Sequence, residues 1–383
     1  MNGSYKPPIR WGMVGGGEGA FIGGVHRIAA RLDGEYNLIA GAFSSDAERS
    51  KRSAATLGIS SDRSYADYKD MALAEAARSD GVEVVSIVTP NHMHLPVARA
   101  FLQAGIHVIC DKPLATSAQE ARDFLAEQAQ ANALFILTHN YTGTPMVRQA
   151  RQMVAEGAIG TLRHVQVEYA QDWLTEPTDE SNKQAAWRAD PSKSGAAGSM
   201  GDIGTHAYQL ACFITGQRAT QVAADLTAFV PGRKVDDNAA VLMRYENGAK
   251  GMLWASQVAP GNENALSIRV YGDKGGLEWH QENPNRLWFT PFGKPKQLRT
   301  RGGAGANEAA NAVTRIPGGH PEGYLEAFAT IYTSAASAIR AHKSGLEPAP
   351  DLLLTTLEDG VHGMSFVDAV LRSSAGNAVW EAI

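Results

Sequence analysis

Two hydrophobic patterns divide the chain. In the first third, short apolar runs bounded by turn residues alternate with stretches whose apolar positions recur at helical spacing. The apolar runs predict buried strands at residues 9–14, 37–43, 82–88, 107–110 and 134–137, and the intervening stretches predict helices at 25–32, 47–57, 68–77, 95–104 and 117–131. Such alternation is typical of a parallel sheet covered by helices on both faces. The sequence therefore predicts an α/β fold with a doubly wound parallel sheet in residues 1–140.

The pattern changes after one further predicted helix at residues 145–156. Runs typical of strands follow at 164–169, 221–229, 238–245, 249–257, 266–271 and 276–280, separated by turns such as Glu246-Asn247-Gly248. Helical spacing returns at 202–215, 321–344 and 352–372, and the Gly- and Ala-rich segment 301–312 is predicted to be a long surface loop or lid. Residues 141–383 are thus predicted to form an α+β domain with a mainly antiparallel sheet.

Composition excludes several classes of protein. The 383 residues are 44% hydrophobic and 20% charged, which argues against a disordered or fibrous chain. A formal charge of −5 gives no general electrostatic basis for binding nucleic acid or a membrane surface. Two cysteines, Cys110 and Cys212, are too few for a disulfide framework or a cysteine-rich metal site. With no apolar run near the ~20 residues of a membrane span and no signal-peptide pattern, we expect a soluble, cytoplasmic protein.

Glycine is in excess, with 39 residues, and several of them directly follow the first predicted strand. Gly15, Gly17 and Ala20 fit the spacing G-x-G-x-x-G/A. Between a strand and a helix, this spacing lets the backbone approach a pyrophosphate, whose charge the helix N-terminus attracts. A plain glycine-rich turn is the alternative. The position at the start of a strand–helix–strand array favours dinucleotide binding.

The residues that distinguish NAD from NADP follow the second predicted strand. Ser44 stands where an acidic residue would bind the ribose 2′-hydroxyl of NAD. Asp46 either supplies that carboxylate or caps the next helix. Alternatively, Ser44, Ser45 and Arg49 leave room for the 2′-phosphate of NADP. These residues leave NAD and NADP both open, and NAD is taken as the expected cofactor with NADP possible.

Two polar segments follow later strands at the carboxyl edge of the predicted sheet, where folds of this class bind ligands. They are Thr89-Pro90-Asn91-His92-Met93-His94 and Asp111-Lys112-Pro113. A lysine directly after a buried strand is a cation placed at this edge, although most lysines are simply solvated.

Asp202 and His206 form a second candidate site. Their spacing of four places both on one helical face, one turn apart. An imidazole can accept a proton near neutral pH, as a general base for alcohol oxidation must, and a carboxylate can bind a neighbouring hydroxyl. The alternative is a helix cap with an incidental histidine. No third residue stands at a metal-ligand spacing, so we expect no metal.

Together these segments resemble the glucose-fructose oxidoreductase/inositol dehydrogenase family of nicotinamide-dependent sugar and cyclitol enzymes. The resemblance rests on the glycine turn with Ile22-Gly23 and His26, Thr89-Pro90-x-x-x-His94, Asp111-Lys112-Pro113, Asn140, Gly201-Asp202-x-Gly204-x-His206 and Asp236-Asp237-Asn238-Ala239. The sequence departs from the family pattern in the extra turn residues Glu18 to Phe21, and in Asp111 where the family has Glu. The turn, together with Gly319-His320-Pro321-Glu322-Gly323, resembles the levoglucosan and scyllo-inositol dehydrogenase branch.

The resemblance implies a Rossmann domain and a C-terminal domain whose large open sheet packs in homodimers or homotetramers. It implies that Lys112, Asp202 and His206 are catalytic, with His206 as the acid/base. The expected cofactor-binding residues are Gly15, Gly17, Ala20, Phe21, Ile22, Ser44, Thr89, Pro90, Asn91, His94, Asp111, Lys112, Asn140, Trp187 and Arg188. The expected substrate-binding residues are Lys112, Asn140, Asp202, His206 and His320.

The activity that we expect is NAD(P)-dependent oxidation of a ring secondary hydroxyl of a sugar, anhydrosugar or cyclitol to a ketone by hydride transfer. Two alternatives are an NAD-dependent glycosidase on the same scaffold and a non-catalytic nucleotide-binding protein. The expected partners are a small-molecule substrate and further copies of the chain, without nucleic acid or membrane.

Overall fold

The chain folds into two compact units. The computed structural model describes residues 6–128, 131–177, 191 and 195–383. The first unit contains the chain up to Ala115 together with Ala121–Thr138 and Phe328–Gly360, and the second contains Thr116–Glu120, His139–Ala327 and Val361–Ile383. The sequence placed a single boundary near residue 140, and the structure adds residues 328–360 to the first unit.

A five-stranded parallel sheet forms the centre of the first unit. Its strands are β1 (Ile9–Gly15), β2 (Tyr36–Ala42), β3 (Val84–Val88), β4 (His107–Asp111) and β5 (Phe135–Thr138). They lie in the order β2-β1-β3-β4-β5, and every neighbouring pair is parallel. The helices between them are α1 (Phe21–Leu32), α2 (Ala47–Thr56), α3 (Tyr68–Ala76), α4 (His94–Gln103) and α5 (Ala118–Gln128). The predicted doubly wound sheet is confirmed, and its strand order reverses between β1 and β3, where such sheets bind ligands.

The strands of this sheet are apolar on both faces, which explains why the sheet is buried. Every residue of β3 is buried, and Trp11 and Met13 of β1 are completely buried. Phe101 of α4 is also completely buried. The polar residues of the candidate ligand-binding segments therefore lie beyond the ends of these strands.

A nine-stranded, mainly antiparallel sheet forms the centre of the second unit. Its strands are β6 (Leu162–Ala170), β7 (Ala219–Thr227), β8 (Asn238–Tyr245), β9 (Lys250–Ser256), β10 (Ala265–Gly272), β11 (Gly275–His280), β12 (Arg286–Pro291), β13 (Gln297–Thr300) and β14 (Glu381–Ala382). Their order is β13-β12-β11-β10-β6-β9-β8-β7-β14, and β6 and β9 form a parallel pair. The remaining helices are α6 (Pro145–Ala155), α7 (Thr205–Thr215), α8 (Glu308–Asn311), α9 (Tyr324–Lys343) and α10 (Leu357–Ala375). The mainly antiparallel sheet predicted for this part of the chain is confirmed.

The two faces of this sheet differ. Val241 and Leu253 point to the face against which α7 packs and are buried. Leu242 and Met252 lie opposite each other on the other face and are 47% and 46% exposed. The sheet is therefore covered on one side and open on the other, as the family resemblance implied.

Element boundaries differ from the prediction where local geometry overrides periodicity. Helix α1 begins at Phe21 rather than residue 25, and α10 begins at Leu357 rather than 352. Before α10, Leu353 has a left-handed φ of 52°, and Thr355 forms an isolated β-bridge with Leu137, which delays the helix. Strands β12, β13 and β14 were not predicted. None of the described helices is both long enough and apolar enough to cross a membrane.

The segment 301–312, which was predicted to be a long surface loop or lid, is mostly turn structure and is held within the second unit by several polar contacts. Arg301 is buried and pairs with buried Glu322 at 2.9 Å. Gln149 of α6 donates from Nε2 to the Gly305 carbonyl at 2.9 Å, and its Oε1 accepts from the Asn307 amide at 3.3 Å. The segment also contains α8, which Asn307 caps.

Candidate active site

The glycine turn after β1 packs tightly against the ends of neighbouring strands. Gly15 and Gly16 have φ values of 80° and 70°, which favour glycine. A Cβ on Gly15 would lie 2.8 Å from the Val88 carbonyl oxygen, and one on Gly17 would lie 2.7 Å from the Phe43 carbonyl oxygen. The chain therefore approaches β3 and the end of β2 too closely for a side chain, as expected of a turn that brings its backbone up to a pyrophosphate.

The helix contact of this turn is made by Gly23. Ala20 has an extended backbone and directly precedes α1, so Glu18, Gly19 and Ala20 lengthen the turn, whereas Phe21, which was also expected as an extra turn residue, is the first residue of the helix. A Cβ on Gly23 would lie 2.3 Å from the Gly16 Cα. Close packing between helix and turn, a role of the third glycine in the fingerprint, thus falls to Gly23.

The polar residues after β2 are held by hydrogen bonds among themselves. Asp46 caps α2, and its Oδ1 accepts from the Arg49 amide at 2.7 Å. Ser44 Oγ accepts from Arg49 Nε at 2.8 Å and from the Asp46 amide at 3.1 Å. The helix-cap interpretation of Asp46 is therefore correct, and Ser44 holds the Arg49 guanidinium beside the end of β2.

His94 joins the two polar segments at the carboxyl edge of the first sheet. Its Nδ1 lies 2.7 Å from the Pro113 carbonyl oxygen, and its Nε2 lies 3.0 Å from the Thr89 carbonyl oxygen. Burial lowers the pKa of His94. Thr89 Oγ1 is buried and has no hydrogen-bond partner within the described ranges. The edge thus contains a fixed imidazole and an unsatisfied hydroxyl, and buried polar groups normally find a partner.

Asp111 and Lys112 follow at the end of β4 and are half-buried. Asp111 Oδ1 accepts from the Lys112 amide and from Thr138 Oγ1, both at 3.0 Å. Oδ2 forms no hydrogen bond with any described residue. The carboxylate is therefore anchored through one oxygen, and the other is available to a ligand.

Asp202 and His206 lie at the start of the helix against the second sheet. Asp202 is in a π-helical segment, Met200–Gly204, which leads directly into α7, where His206 is the second residue. Such segments are frequent at functional sites. Both side chains are half-buried, and Asp202 Oδ2 accepts from Gln257 Nε2 at 2.9 Å. The predicted i, i+4 pair is thus at the helix start, with its carboxylate held by a buried amide.

A buried carboxylate, Asp236, fixes the backbone before this segment. Its Oδ1 accepts from the Gly198 amide at 2.6 Å, and its Oδ2 accepts from Ser199 Oγ at 2.7 Å and the Met200 amide at 2.8 Å. Burial raises the pKa of Asp236, although these hydrogen bonds oppose the rise. Sequence reasoning noticed the acidic pair before β8 only as a family resemblance. The sequence feature that could have indicated a structural role is this pair, Asp236 and Asp237, at the start of an apolar strand.

Aromatic and polar side chains surround His206. Its ring centroid lies 5.1 Å from that of Tyr141, 5.6 Å from that of His139 and 6.2 Å from that of Tyr169. The Tyr141 and Tyr169 hydroxyls are 2.7 Å apart, and Tyr169 donates to Asn264 Oδ1 at 2.8 Å. Burial raises the pKa of both tyrosines, so they remain hydroxyls at neutral pH.

Asn140, which was expected in the site, lies next to this cluster in sequence and is buried. Its Nδ2 has no acceptor within hydrogen-bonding distance among the described residues. The second unit thus presents an imidazole, a carboxylate, hydroxyls and an amide together. This set can bind and deprotonate a small polyhydroxylated molecule.

The remaining predicted residues are placed differently. His320 is exposed beside a cavity of about 460 Å³, whose lining includes Glu282, Asn285, Arg286 and Arg301 but neither Asp202 nor His206. The lining of this cavity therefore gives no support for placing His320 in one site with Asp202 and His206. Trp187 and Arg188 lie outside the described residues. Phe21 is 67% exposed, and Pro90 is also exposed at the carboxyl edge of the first sheet.

The residues of the first unit fit a dinucleotide. A side chain on Gly15 or Gly17 would collide with the backbone of a neighbouring segment, so the turn needs glycine there, and α1 begins directly after the turn, so its N-terminus attracts negative charge. The unsatisfied hydroxyl of Thr89 and the open oxygen of Asp111 provide hydrogen-bonding groups at the same edge of the sheet.

Two family models match the chain. Residues 9–139 match the oxidoreductase family with an NAD-binding Rossmann fold, and residues 147–278 match the GFO/IDH/MocA C-terminal domain. The two matches lie in the parts of the chain for which the sequence predicted a nucleotide-binding domain and a second, mixed domain.

Several solved structures of similar proteins match almost the whole length of this chain. An oxidoreductase from Sinorhizobium meliloti is 54% identical, with a TM-score of 0.89 and coverage of 98% of this chain and 99% of that one. An inositol dehydrogenase homolog from Azotobacter vinelandii, solved with NAD⁺, is 36% identical, with a TM-score of 0.94 and coverage of 98% and 97%. Levoglucosan dehydrogenase, solved with NADH and levoglucosan, is 26% identical, with a TM-score of 0.82 and coverage of 98% and 99%. The chain therefore belongs to the GFO/IDH/MocA family of NAD-binding oxidoreductases.

Proposed function

We propose that this protein is an NAD-dependent dehydrogenase that oxidises a ring secondary hydroxyl of a cyclitol, sugar or anhydrosugar to a ketone. The observation that carries the proposal is the Asp202–His206 pair beside buried tyrosine hydroxyls, in a chain whose family binds NAD. An apolar substrate would leave polar groups of this site without partners, whereas a polyol supplies several hydroxyls that can pair with them.

Each residue has a distinct role in this proposal. His206 removes the proton from the hydroxyl that is oxidised, and Asp202, held by Gln257, binds a neighbouring hydroxyl. Lys112 stabilises the negative charge that develops on the substrate oxygen. A bound nicotinamide would supply the acceptor for the hydride that leaves the substrate carbon. We assign the glycine turn, Thr89 and Asp111 to holding the dinucleotide.

The substrate class is supported by what related proteins bind. The Azotobacter homolog was also solved with NADH and myo-inositol, and levoglucosan dehydrogenase with NADH and levoglucosan. Both ligands are rings that carry several secondary hydroxyls. We therefore place inositols and anhydrosugars first among the candidate substrates, and NAD ahead of NADP.

The test is an absorbance assay for the reduced nicotinamide, with NAD and NADP each combined with a panel of inositols, anhydrosugars and aldoses. We expect NADH formation with at least one cyclic polyol. His206→Ala should lower kcat by at least a hundredfold while the Kd for NAD stays within about twofold. His164→Ala, which changes a half-buried histidine on β6, is the matched control and should retain activity.

Two outcomes would overturn the proposal. Release of a leaving group from a glycoside without net NADH formation would identify a glycosidase that reoxidises its own cofactor. Tight NAD binding with no turnover on any member of the panel would identify a non-catalytic nucleotide-binding protein.

We also propose that copies of this chain associate through the open face of the second sheet. Leu242, Met252 and Trp254 form an apolar area there, and each is more than a third exposed. Neighbouring positions in the sheet register place these residues side by side on β8 and β9. Contiguous exposed apolar residues of this kind mark interaction sites.

A further inference from the structure

A chain of hydrogen bonds runs through the buried centre of the first unit. Trp11 Nε1 donates to Ser86 Oγ at 2.8 Å, Ser86 Oγ lies 2.7 Å from the Tyr332 hydroxyl, and that hydroxyl lies 2.8 Å from His26 Nδ1. The other ring nitrogen, His26 Nε2, is 4.0 Å from Asp111 Oδ1. We call Trp11, Ser86, Tyr332 and His26 the donor chain. Each of its members is almost completely shielded from solvent.

The two ends of this arrangement fix its direction. An indole N–H can only donate, so Ser86 Oγ accepts from Trp11. Tyr332 is the only other hydrogen-bond partner of the Ser86 side chain among the described residues, so the buried Ser86 hydroxyl donates its proton to Tyr332. The Tyr332 hydroxyl then donates to His26 Nδ1, which must be the unprotonated ring nitrogen. The remaining proton of the neutral imidazole therefore lies on Nε2, on the side of a carboxylate that can only accept.

We propose that His26 is a positioning residue, which presents an Nε2–H to Asp111 and thereby orients the carboxylate next to Lys112. Shortening the gap by about 1 Å would give the ~2.9 Å separation of a normal hydrogen bond. With Oδ1 held by His26, Thr138 and the Lys112 amide, Oδ2 faces outward to accept a hydrogen bond from a ligand hydroxyl.

Three further observations support this arrangement. His26 Nε2 is buried and has no hydrogen-bond partner among the described residues, so it is a donor without an acceptor until Asp111 approaches. The ring packs against Phe328 and Tyr332, with centroids 5.0 Å and 5.8 Å away, which restricts its rotation. Burial lowers the pKa of His26 even though Asp111 opposes the shift, so the neutral tautomer is the relevant state.

The donor chain also gives the segment 328–360 a role at the candidate cofactor site. Tyr332 lies on α9, more than two hundred residues after Asp111 in the sequence, yet both belong to the first unit. We infer that this helix sets the tautomer of a histidine that positions Asp111. The inference rests on the proposed function only in assigning Asp111 to the NAD site.

The first test measures the tautomer directly. Long-range proton–nitrogen NMR spectra of protein with isotope-labelled histidine distinguish the two neutral forms, and the His26 signal is assigned by its loss in His26→Gln. We expect the Nε2–H form in the wild-type protein, with and without NAD. Observation of the Nδ1–H form would overturn the proposal.

The second test uses two variants at residue 26, each of which retains one of the two hydrogen-bonding functions of the imidazole. A Gln amide at residue 26 can keep a donor near the Nε2 position, whereas an Asn can keep an acceptor for Tyr332 near the Nδ1 position. Calorimetry should show the Kd for NAD within about twofold of wild type for His26→Gln. For His26→Asn we expect the affinity for NAD to be lower by about fivefold or more, which corresponds to the loss of one hydrogen bond. Thermal unfolding identifies any variant that fails to fold.

The results separate this inference from the proposed function, because neither measurement needs a substrate. The expected tautomer and the expected order of NAD affinities would support the positioning role even if no polyol is oxidised. If His26→Asn binds NAD as wild type does while His26→Gln does not, the ring serves only Tyr332, and the positioning role is overturned.

Discussion

At the scale of single residues, Asp236 shows how a residue outside the candidate site can fix the backbone that carries it. Its carboxylate receives two amides and a hydroxyl from residues 198–200, directly before the π-helical segment that carries Asp202. A buried carboxylate needs its hydrogen-bond donors, and each donor needs the carboxylate. Leaving any of these buried groups without a partner lowers the stability of the fold.

Asp236→Asn should therefore disturb both stability and the candidate site. In the variant, the side-chain N–H₂ group faces a donor whose hydrogen bond the carboxylate accepted, so two donors oppose each other. We therefore expect the free energy of unfolding to fall by about 2–3 kcal/mol. We expect kcat to fall about tenfold or more because Asp202 and His206 are displaced. Chemical denaturation and steady-state kinetics measure the two effects.

Asp225→Asn is the matched control, since Asp225 is an exposed carboxylate on β7 of the same unit. It should change stability by less than about 0.5 kcal/mol. The Kd for NAD should be unchanged in both variants, because the residues assigned to NAD belong to the first unit. A variant Asp236→Asn with wild-type kcat would show that the start of α7 is held by other contacts.

The sequence predicted the residue types of the candidate site and their spacing, but it did not predict the side chains that hold these residues in place. Asp202 and His206 stand four apart in one segment, and Lys112 directly follows an apolar strand. Gln257, in contrast, contacts Asp202 because the π-helical segment packs against β9, and Asn264 contacts Tyr169 because β6 and β10 are neighbours in the sheet. Such contacts depend on tertiary packing and strand order, which periodicity does not encode.

At the scale of elements, α1 depends on one glycine for its position. The helix can approach the glycine turn only because Gly23 has no Cβ, which would otherwise lie 2.3 Å from the Gly16 Cα. The next residue, Gly24, lies in the same helix, and a Cβ there would meet nothing within 4 Å. The two neighbouring glycines therefore differ in packing while sharing a backbone conformation.

Gly23→Ala and Gly24→Ala should have opposite effects. Gly23→Ala pushes α1 away from the turn, so we expect a loss of about 1–3 kcal/mol in the free energy of unfolding and at least tenfold weaker NAD binding. Gly24→Ala should gain up to about 1 kcal/mol through helix propensity and leave the Kd for NAD unchanged. Urea denaturation and calorimetry of both proteins provide the comparison, and equal effects of the two substitutions would contradict the packing argument.

The strongly periodic elements were predicted, and the errors occurred where short-range signals were weak. Each strand of the first sheet was identified because it is a short apolar run between turns. Strand β13 was missed because Leu298 is its only apolar residue, and β12 was missed because its apolar run is only three residues, 287–289. The glycines of segment 301–312 predicted a long surface loop or lid, but they gave no sign of the ion pair between Arg301 and Glu322, because the partner is distant in sequence.

At the scale of the whole molecule, the division into units could not be predicted from sequence alone. A boundary near residue 140 follows from the change of pattern, but residues 328–360 belong with the first unit. Tyr332 of α9 reaches His26 and Ser86, and the Tyr36 hydroxyl donates to the Tyr332 carbonyl at 2.7 Å. Helical periodicity identified α9 correctly but carries no information about the sheet against which it packs.

The open face of the second sheet leads to a prediction about assembly. Leu242 and Met252 are opposite each other on β8 and β9, so replacing both with Glu places two like charges side by side. If copies of the chain associate through this face, Leu242→Glu/Met252→Glu should be monomeric in size-exclusion chromatography with light scattering, whereas the wild type is at least dimeric. NAD binding should persist, since the residues assigned to it lie in the other unit. Leu73→Glu, at a leucine 72% exposed on α3, is the matched control and should leave the assembly intact. A monomeric wild type, or a double variant that still associates, would mean that this face is not the interface.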